Sequence, residues 1–494
     1  MLDLPELGIG VVYMPSLEPL FEVGHNLIDV IEIEPQAYWF QSSSKNRSYH
    51  LNSTIFQRFC QYPQAKIVHS VGFPVGGTTF ELDFLPSLCE SIERLGAAWA
   101  SEHLSFNRVT TTEGEFNTGF LLPPLQTPET VKIAAANIRQ LSAQLPVPFA
   151  FETGVNYMRP HPAELSDGQF FGAVAEEANC GILLDLHNLW TNEQNGRQSV
   201  WEALREIPLE RVWEIHLAGG RSFKGYWLDA HSGLVPGAVM KLAAEIIPHL
   251  PNLKAIIFEV IDEYIQAYNL TQKILLEQLQ HIRQLWNLRS SSTRIWYSKS
   301  NLVQPLKSDE DLPQTAVWET ALGKLVTVQA SDTPLYLQLS QDPAVKVFQE
   351  LIFTARTGMI VGSLKFTSRF LILHLGASNF RQLLQAFWKI QPPQLFSSSE
   401  AQNFAVNLKM RSLNIPHLDE ILDFELAWHR VKIDELAQKV QFSCDPKLLL
   451  NALNQRRLPE VTTPGEFEML ILPDSDTSPK FQIFRKKNHL DSVT

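Results

Sequence analysis

Short apolar runs rich in β-branched residues alternate with longer segments of helical periodicity over the first 265 residues. The segments between the runs, such as 85–96 and 128–145, repeat apolar residues at intervals of three and four, as amphipathic helices do. A run that is apolar almost throughout is typical of a strand buried on both faces of a parallel sheet. The eight runs lie at 8–13, 30–35, 66–71, 98–104, 149–154, 181–188, 211–219 and 255–260. Eight alternations of strand and helix predict an α/β fold, the (β/α)8 TIM barrel.

The rest of the chain has a different pattern. Residues 286–315 include NLRSSSTR and KSDEDLPQ, which are rich in serine, charge and turn formers, as linkers are. Amphipathic helices are then expected at 342–358, 379–390 and 417–438, and strands at 467–474 and 480–486. We therefore predict a TIM-barrel catalytic domain, 1–285, a linker, 286–315, and a smaller, mainly helical C-terminal domain, 316–494.

Polar residues occur where the predicted strands end. Because every strand of such a barrel points its C-terminal end into one mouth, these side chains are expected to converge there. They are imidazoles, carboxylates and one amide, contributed by six strand ends and one Asp-x-His loop. The set is His69, His103, Glu152, Asp185, Asn188, His216, Asp229, His231 and Glu259.

This composition predicts a metal site. Carboxylates packed together repel one another, and buried unpaired charges are costly, whereas divalent cations remove both problems. Each ion takes several ligands, so nine residues suffice for about two or three ions with bridging carboxylates. Imidazole and carboxylate ligands suit iron, zinc or manganese. A single histidine at a strand end is more often structural. The prediction of a metal site therefore depends on the repeated occurrence of potential ligands at several strand ends.

Neighbouring residues leave some choices open. His187 lies between Asp185 and Asn188, and only some of the three can face one ion. We favour Asp185 with Asn188, because the chain leaves the strand there and turns. Glu102 alternates with His103 along the strand and is expected to face the other way, in a supporting or structural role.

The net charge of the chain indicates which binding partners to expect. The 494 residues include 41 Lys and Arg and 53 Asp and Glu, for a net charge of −12. Residues 1–290 hold 32 of the acidic and 19 of the basic residues, and an acidic surface repels a phosphate backbone, so no nucleic-acid partner is expected. The loop cations Arg197, Arg221 and Lys224 near the mouth either contact an acidic substrate or are solvated.

The cellular compartment of the protein is predicted from the absence of targeting and membrane-spanning patterns in the sequence. The N-terminal stretch MLDLPELGIGVVYMP has no basic segment typical of a signal peptide, and no run of apolar residues is long enough to span a membrane. Cys60, Cys89, Cys180 and Cys444 are far apart and form no CxxC pair. We expect a cytoplasmic protein with no membrane partner, no disulfide framework and no thiolate ligand in the barrel.

Several stretches carry a family resemblance. They are EIEPQAY (32–38), HSVGFPVGG (69–77), SEHLSF (101–106), LLPP-x-x-TPE (121–129), FETGVNY (151–157), GILLDLHNLWTNEQNG (181–196), IHLAGG (215–220), LDAHSG (228–233) and FEV (258–260). In these, residues 8–260 resemble the multinuclear non-heme iron-dependent oxidative enzymes, whose barrel is of the xylose-isomerase type. The resemblance places the family's ligands on the same nine residues and catalytic roles on all of them except Asn188.

This chain departs from the family pattern in three motifs that contain those ligands. The family commonly has Leu-Glu-Asn where this chain has Phe151-Glu152-Thr153, and Asp-x-Asn-Asn where this chain has His187 in place of the first asparagine. It commonly has Asp-Thr-His-Gly where this chain has Asp229-Ala230-His231-Ser232. The proposed ligands are kept, so the departures bear on the contacts around them and on substrate choice.

The resemblance implies a reaction. It implies oxidation of cysteine in a ribosomally synthesised precursor peptide, with O2 as co-substrate and two or three irons in mixed Fe(II) and Fe(III) states. The stretch HLDEILDFELAWHRV (417–431) is similar to the helical partner proteins of these enzymes. The C-terminal domain is therefore either a fused replacement for a separate partner protein or an unrelated helical domain.

Three other functions compete with this one. Trinuclear-zinc endonucleases that cut at abasic DNA sites have a similar ligand set on the same barrel, but the acidic barrel region disfavours them. A sugar isomerase needs fewer ligands and a lysine, which ends none of the eight runs. The third is a non-catalytic metal-binding recruitment protein.

Overall fold

Eight parallel strands form a closed barrel in the computed structural model, which describes residues 4–24, 26–41, 49–289, 312–411, 413–434, 436–473 and 480–485. Each strand pairs with its neighbours in sequence, and the first pairs with the eighth. The first to eighth barrel strands are Gly8–Val12, Val30–Ile33, Ala65–Ser70, Ala100–His103, Phe149–Glu152, Gly181–Asp185, Val212–Ala218 and Ala255–Glu259. Each lies within, or one residue from, a predicted run, and the predicted (β/α)8 barrel is confirmed.

Helices connect the strands. Their bounds are Glu18–Val23, Ser53–Gln61, Leu85–Leu95, Pro128–Ser142, Asp167–Ala178, Leu186–Gln194, Val200–Glu206, Gly237–Ile246, Asp262–Ala267 and Gln272–Trp286, with short 3-10 turns at Pro15–Leu17, Pro35–Tyr38, Leu209–Arg211 and Ile247–His249. The predicted helices at 85–96 and 128–145 are confirmed. The second of these begins where the Thr127 side chain accepts a hydrogen bond from the amide of Thr130, next to a proline that cannot donate one.

Two antiparallel hairpins follow barrel strands at the mouth. The first joins Phe106–Thr111 to Gly114–Leu122, and the second joins Gly220–Phe223 to Tyr226–Asp229. The second hairpin packs so closely that a Cβ on Gly220 would lie 2.4 Å from Trp227 Nε1 and 2.6 Å from His187 Nε2. Only glycine fits there, and its close approach places Asp229 at the end of the hairpin.

Contacts divide the chain into two units that do not follow the predicted domain boundaries. The first unit comprises residues 1–37 and 59–348 and the second residues 38–58 and 349–494. Residues 316–348, interpreted from the sequence as part of the C-terminal domain, thus group with the barrel. Helices Thr315–Val326 and Pro334–Leu339 lie there, and buried Glu319 accepts a hydrogen bond from the Thr78 amide at 2.9 Å. Most of the predicted linker, 286–315, lies outside the described residues.

The second unit is mainly helical with one small antiparallel sheet. Helix Ala344–Ser363 leads into it. Its further helices are Lys365–Leu375, Ala377–Trp388, Ser397–Arg411, Leu418–Asp434 and Pro446–Asn454, and its strands are Trp39–Gln41, Tyr49–Leu51, Gln438–Cys444, Pro464–Leu472 and Lys480–Arg485. The three predicted helices and two predicted strands of this region are confirmed. Strand Gln438–Cys444 was not predicted, because its alternating pattern followed a helical segment without a clear break.

Within the described ranges, none of the helices is both long enough and apolar enough to pass through a lipid bilayer.

A buried ion pair fixes the loops after the fifth and sixth barrel strands. Arg197 Nη2 lies 2.7 Å from Asp167 Oδ1, and the two side chains are 3% and 2% exposed. The same guanidinium donates to the carbonyl oxygen of Met158 and to Gln126 Oε1, both at 2.8 Å. Arg197 is therefore neither solvated nor directed at a substrate, and both sequence-based alternatives for it are wrong.

Replacing Arg197 by alanine should lower the free energy of unfolding by about 3–5 kcal/mol, because it leaves the buried Asp167 carboxylate without its partner. Urea denaturation measures this, with Arg205→Ala, an exposed arginine on the next helix, as the control expected within about 0.5 kcal/mol of wild type. Equal stability of Arg197→Ala and wild type would contradict this account.

Candidate metal centre

All nine residues predicted from the sequence lie at one end of the barrel. His69 and His216 lie near the ends of the third and seventh strands. Four others are the last residues of the fourth, fifth, sixth and eighth strands: His103, Glu152, Asp185 and Glu259. Asn188 is in the first turn of the helix after the sixth strand, Asp229 ends the second hairpin, and His231 follows it. The geometric convergence is therefore present; the role of each residue as a ligand remains a prediction.

The first group of donors consists of His69, His103 and Glu152. Glu152 Oε2 lies 3.2 Å from His69 Nε2 and 3.0 Å from His103 Nε2, and all three ligand atoms lie within 4.8 Å of one another. Two atoms that bind one ion at about 2.1 Å, about 90° apart, are about 3.0 Å from each other. The observed spacing therefore matches one edge of a coordination polyhedron.

A second group shares Glu152 with the first. Glu152, Asp185 and His216 also present ligand atoms within 4.8 Å of one another. Glu259 Oε2 is 3.3 Å from His216 Nδ1 and extends this group. A carboxylate shared by two groups can bridge two ions, so Glu152 is placed to do so.

The third group is built around the second hairpin. His231 Nε2 lies 3.2 Å from Asp229 Oδ1 and 3.4 Å from Glu259 Oε2. His231 has a left-handed backbone, with φ of 47°, which is uncommon for a residue other than glycine. Glu259 thus connects the third group to the second, as Glu152 connects the second to the first.

Unpartnered buried atoms test whether cations fit these groups. In the part of the chain that the structure describes, five buried donor atoms of the set have no aligned hydrogen-bond partner: Glu152 Oε2, Asp185 Oδ2, Asn188 Oδ1, His216 Nδ1 and Glu259 Oε2. Three of these atoms, Glu152 Oε2, His216 Nδ1 and Glu259 Oε2, have only ion-pair contacts of 3.0 to 3.4 Å. A buried polar atom left unpaired costs about 1–3 kcal/mol, so cations would be suitable common partners for the set. All five are nitrogen or oxygen and face a site without sulfur, which fits iron, zinc or manganese ions.

The opposite nitrogen of each first-group imidazole is held by a neighbour. The Ser101 hydroxyl lies 2.7 Å from His69 Nδ1, and Glu102 Oε1 lies 3.3 Å from His103 Nδ1. Glu102 also accepts from the Ser70 hydroxyl at 2.8 Å and from the Phe73 amide at 2.7 Å. Glu102 therefore contacts the His103 ring on the side away from Glu152, as its expected supporting role requires, and both rings direct Nε2 at Glu152.

Sequence reasoning missed two buried glutamates that support His216. Glu32 Oε2 lies 3.3 Å from His216 Nε2, and Glu214 Oε1 lies 3.6 Å from the same nitrogen. Glu32 and Glu259 contact opposite nitrogens of the ring, so Glu32 orients the ring, and one ligand atom from each of the three residues lies within 4.8 Å of the others. An acidic residue inside an otherwise apolar strand, as in VIEI, was the available signal.

The contacts of His187 bear on whether it or Asn188 is the better candidate metal ligand. The Trp227 indole nitrogen donates to His187 Nε2 at 3.2 Å, so the ring proton is on Nδ1, which donates to Asp229 Oδ1 at 3.2 Å. Both nitrogens are thereby occupied. Asn188 instead keeps Oδ1 free while its amide donates to Glu152 Oε1 at 3.2 Å. The geometry favours Asn188 as the ligand and assigns His187 to positioning Asp229.

Burial and neighbouring charge set the protonation of the metal-free site. Burial lowers the pKa of His69, but contact with Glu152 and the charge of Glu32 outweigh it and raise that pKa to about 10. Burial raises the pKa of Glu152, but His103 and His69 outweigh it and lower that pKa to about 2. Burial and the Asp229 carboxylate hold the pKa of Asp185 well above its usual range. Without cations, the site therefore compensates its carboxylates with protons.

A cavity of about 320 Å³ opens above the donors. Its floor includes His69, His103, Glu152 and Asn188. Its apolar wall is formed by residues 120–124, which end the strand Gly114–Leu122 and follow it, and by Phe170, Phe171 and Ile261. The cavity therefore combines polar donors with an apolar surface.

Comparison with known proteins identifies the family. Residues 8–286, more than half of the chain, match the family described as "RiPP precursor modification enzyme MbnB/TglH/ChrH", where RiPP denotes a ribosomally synthesised and post-translationally modified peptide. The chain belongs to this family. The resemblance of the barrel region to the multinuclear iron-dependent enzymes is thereby confirmed, and the chain is a member of a family of RiPP precursor modification enzymes.

Curated relatives share the barrel region at moderate identity. A UPF0276 protein of Streptomyces avermitilis is 29% identical over 248 residues, which cover 49% of this chain and 49% of the relative. A UPF0276 protein of Caulobacter vibrioides is 29% identical over 236 residues, covering 48% of this chain and 80% of the relative. This chain thus spans about half the length of the Streptomyces relative.

Solved structures with similar barrels are more distant. An L-ribulose 3-epimerase is 13% identical, with a TM-score of 0.36, and covers 57% of this chain and 94% of its own. A xylose isomerase-like TIM barrel protein from Mycobacterium smegmatis in complex with magnesium is 14% identical, with a TM-score of 0.34, and covers 58% and 98%. These scores are too low to assign a function.

The metal-free protein should lose stability as the pH rises from about 6 to about 9. His69 has a folded-state pKa above its unfolded value, so its contribution is complete below pH 6.5 and is lost as the pH rises through 10. The lowered pKa of Glu152 stabilises the folded protein above pH 4.5, and this stabilisation is lost as the pH falls toward 2. Urea midpoints of metal-stripped protein at the two pH values, compared with those of His69→Gln, measure the effect. A midpoint that is equal or higher at about pH 9 would refute it.

Trp227→Phe should weaken metal binding at the Asp229 and His231 position by about 10- to 100-fold, because it removes the indole donor that fixes the proton of His187. Trp190→Phe is the matched control, since Trp190 packs against the rings of both His187 and Trp227. Chelator competition measures both affinities. Equal affinities of the two variants would show that the indole hydrogen bond has no such role.

Proposed function

We propose that the protein is an iron-dependent, O2-using oxidase that modifies cysteine residues of a ribosomally synthesised precursor peptide. The observation that carries the proposal is the convergence of imidazole, carboxylate and amide donors at the barrel mouth, where five buried nitrogen and oxygen atoms lack an aligned hydrogen-bond partner. Membership of a family of RiPP precursor modification enzymes supports a peptide substrate. The connected donor groups support a site of two or three ions.

Three sets of residues would hold the irons. They are His69, His103 and Glu152; Glu152, Asp185, Asn188, His216 and Glu259; and Asp229, His231 and Glu259. When bound, Fe(II) and Fe(III) supply redox chemistry with O2 and a cation that lowers the pKa of a substrate thiol. Zinc is the alternative metal for the same ligands.

The chain's own residues orient the donors and shape the space for the peptide. Ser101, Glu102 and Glu32 hold one nitrogen of their histidines, so the other nitrogen keeps a fixed direction. Apolar residues line one side of the cavity and limit the contact of the donors with water. Among the described residues that line the cavity there is no cysteine, so the thiol to be oxidised comes from the substrate.

The second unit is proposed to handle the peptide substrate. Residues 417–431, whose sequence is similar to the helical partner proteins of these enzymes, form most of the helix Leu418–Asp434. Fusion of such a unit to the barrel raises the local concentration of a bound peptide at the mouth. A separate partner protein is then not required.

Iron content tests the metal centre. Protein purified without oxygen should hold about two or three irons per chain, in Fe(II) and Fe(III) states that Mössbauer spectroscopy distinguishes. His231→Ala should lower the iron content by about one per chain, because the third group loses its only imidazole. His281→Ala, on an exposed face of the helix Gln272–Trp286, is the control and should keep the full content. Three zinc ions per chain after growth with ample iron would instead support a phosphoester hydrolase.

Oxygen uptake tests the reaction. Wild type should consume O2 with a cysteine-containing precursor peptide and not with the same peptide carrying serine at each cysteine, while His231→Ala should be inactive with both. An iron-loaded protein that consumes no O2 with any cysteine peptide encoded beside its gene would support a recruitment role instead.

A further inference from the structure

A second cluster of donor atoms lies in the second unit, apart from the barrel. His417 immediately precedes the helix Leu418–Asp434, Glu420 is in its first turn, and Cys444 ends the strand Gln438–Cys444. One ligand atom from each of these residues lies within 4.8 Å of the others. Cys444 is buried, while the side chains of His417 and Glu420 are 20% and 22% exposed, so an ion could enter from solvent.

Local irregularities of the backbone bring this cluster together. The pairing of Gln438–Cys444 with Pro464–Leu472 shifts register between Phe442 and Cys444. Neighbouring residues of a regular strand point to opposite faces, and a bulge re-aims them. The Ser443 hydroxyl therefore contacts His417 Nδ1 at 3.2 Å even though Cys444, beside it, also faces this helix end. His417 itself has φ of 66°, a left-handed conformation.

Hydrogen bonds hold the carboxylate in place. Glu420 Oε2 lies 3.2 Å from His417 Nδ1, and Glu420 Oε1 accepts from the Ser443 amide at 3.1 Å. These contacts join the first turn of the helix to the end of the strand without involving the sulfur of Cys444. The thiol is thus left as a further donor directed at a fixed histidine and carboxylate.

The donor types point to a metal different from those suited to the barrel. One sulfur, one imidazole nitrogen and one carboxylate oxygen form a mixed set that suits Zn²⁺, whereas the barrel offers only nitrogen and oxygen. We propose that His417, Glu420 and Cys444 bind a zinc ion with three protein ligands and a fourth position open to water. The ion would link the start of one helix to the end of a strand within the second unit. This site is independent of the proposed oxidase activity.

Cobalt substitution tests the site in the full-length protein. After removal of bound metals, Co²⁺ should produce a near-ultraviolet sulfur-to-cobalt absorption whose final intensity corresponds to about one sulfur-bound ion per chain, whatever cobalt the barrel also takes up, and which zinc abolishes. Cobalt in the barrel cannot produce this band, because that donor set has no sulfur. The band should disappear in Cys444→Ser and persist in Cys60→Ser, which removes an exposed thiol. No band in wild type, or a band that persists in Cys444→Ser, would overturn the proposal.

Two further variants cover the case in which Cys444→Ser does not fold. Glu420→Gln keeps an oxygen that can accept from the Ser443 amide, and His417→Asn uses a residue that tolerates the left-handed backbone. Both retain the thiol, and each should weaken Co²⁺ binding, followed by the sulfur band, by about 10-fold or more. Unchanged binding in both variants would leave a hydrogen-bonded cluster without metal and would overturn the proposal.

Discussion

Four carboxylates can share the small volume at the barrel mouth only when positive charge lies between them. The parallel strands impose this crowding, because a closed barrel directs the end of every strand to the same place. Imidazoles alternate with the carboxylates: Glu152 lies between His69 and His103, and Glu259 between His216 and His231. Protons balance the charge in the metal-free protein. The buried nitrogen and oxygen atoms that lack an aligned hydrogen bond are the atoms that cations would bind.

The histidines at the site depend on residues that no cation would touch. Each of three rings has one nitrogen facing the site and the other held by Ser101, Glu102 or Glu32. His187 has the opposite arrangement, because Trp227 and Asp229 occupy both of its nitrogens. It stands where the family commonly has asparagine. A histidine there lets the second hairpin, through Trp227, fix the direction of a carboxylate in the third donor group.

The two units are interleaved along the chain, which passes between them three times. Residues 38–58 follow the second barrel strand but group with the C-terminal region, where Tyr49 stacks near Phe396 with ring centroids 4.6 Å apart. Residues 316–348 group with the barrel through buried polar contacts such as that of Glu319 with Thr78. Neither unit is therefore a contiguous segment, and a truncation at residue 285 would remove helices that belong to the first unit.

The barrel and the nine residues at its mouth could be predicted from the pattern of residues alone. A strand that is buried on both faces is apolar along its length, and polar residues appear where it ends at the mouth. The tertiary structure decided what each side chain contacts. Glu32 supports His216, which is 184 positions away along the chain, and Arg197 pairs with Asp167 rather than with solvent. The helix Thr315–Val326 likewise groups with the barrel unit, an assignment that its sequence did not predict. The periodicity of apolar residues predicts which side chains are buried. The partners of a buried side chain depend on which distant parts of the chain the fold brings beside it.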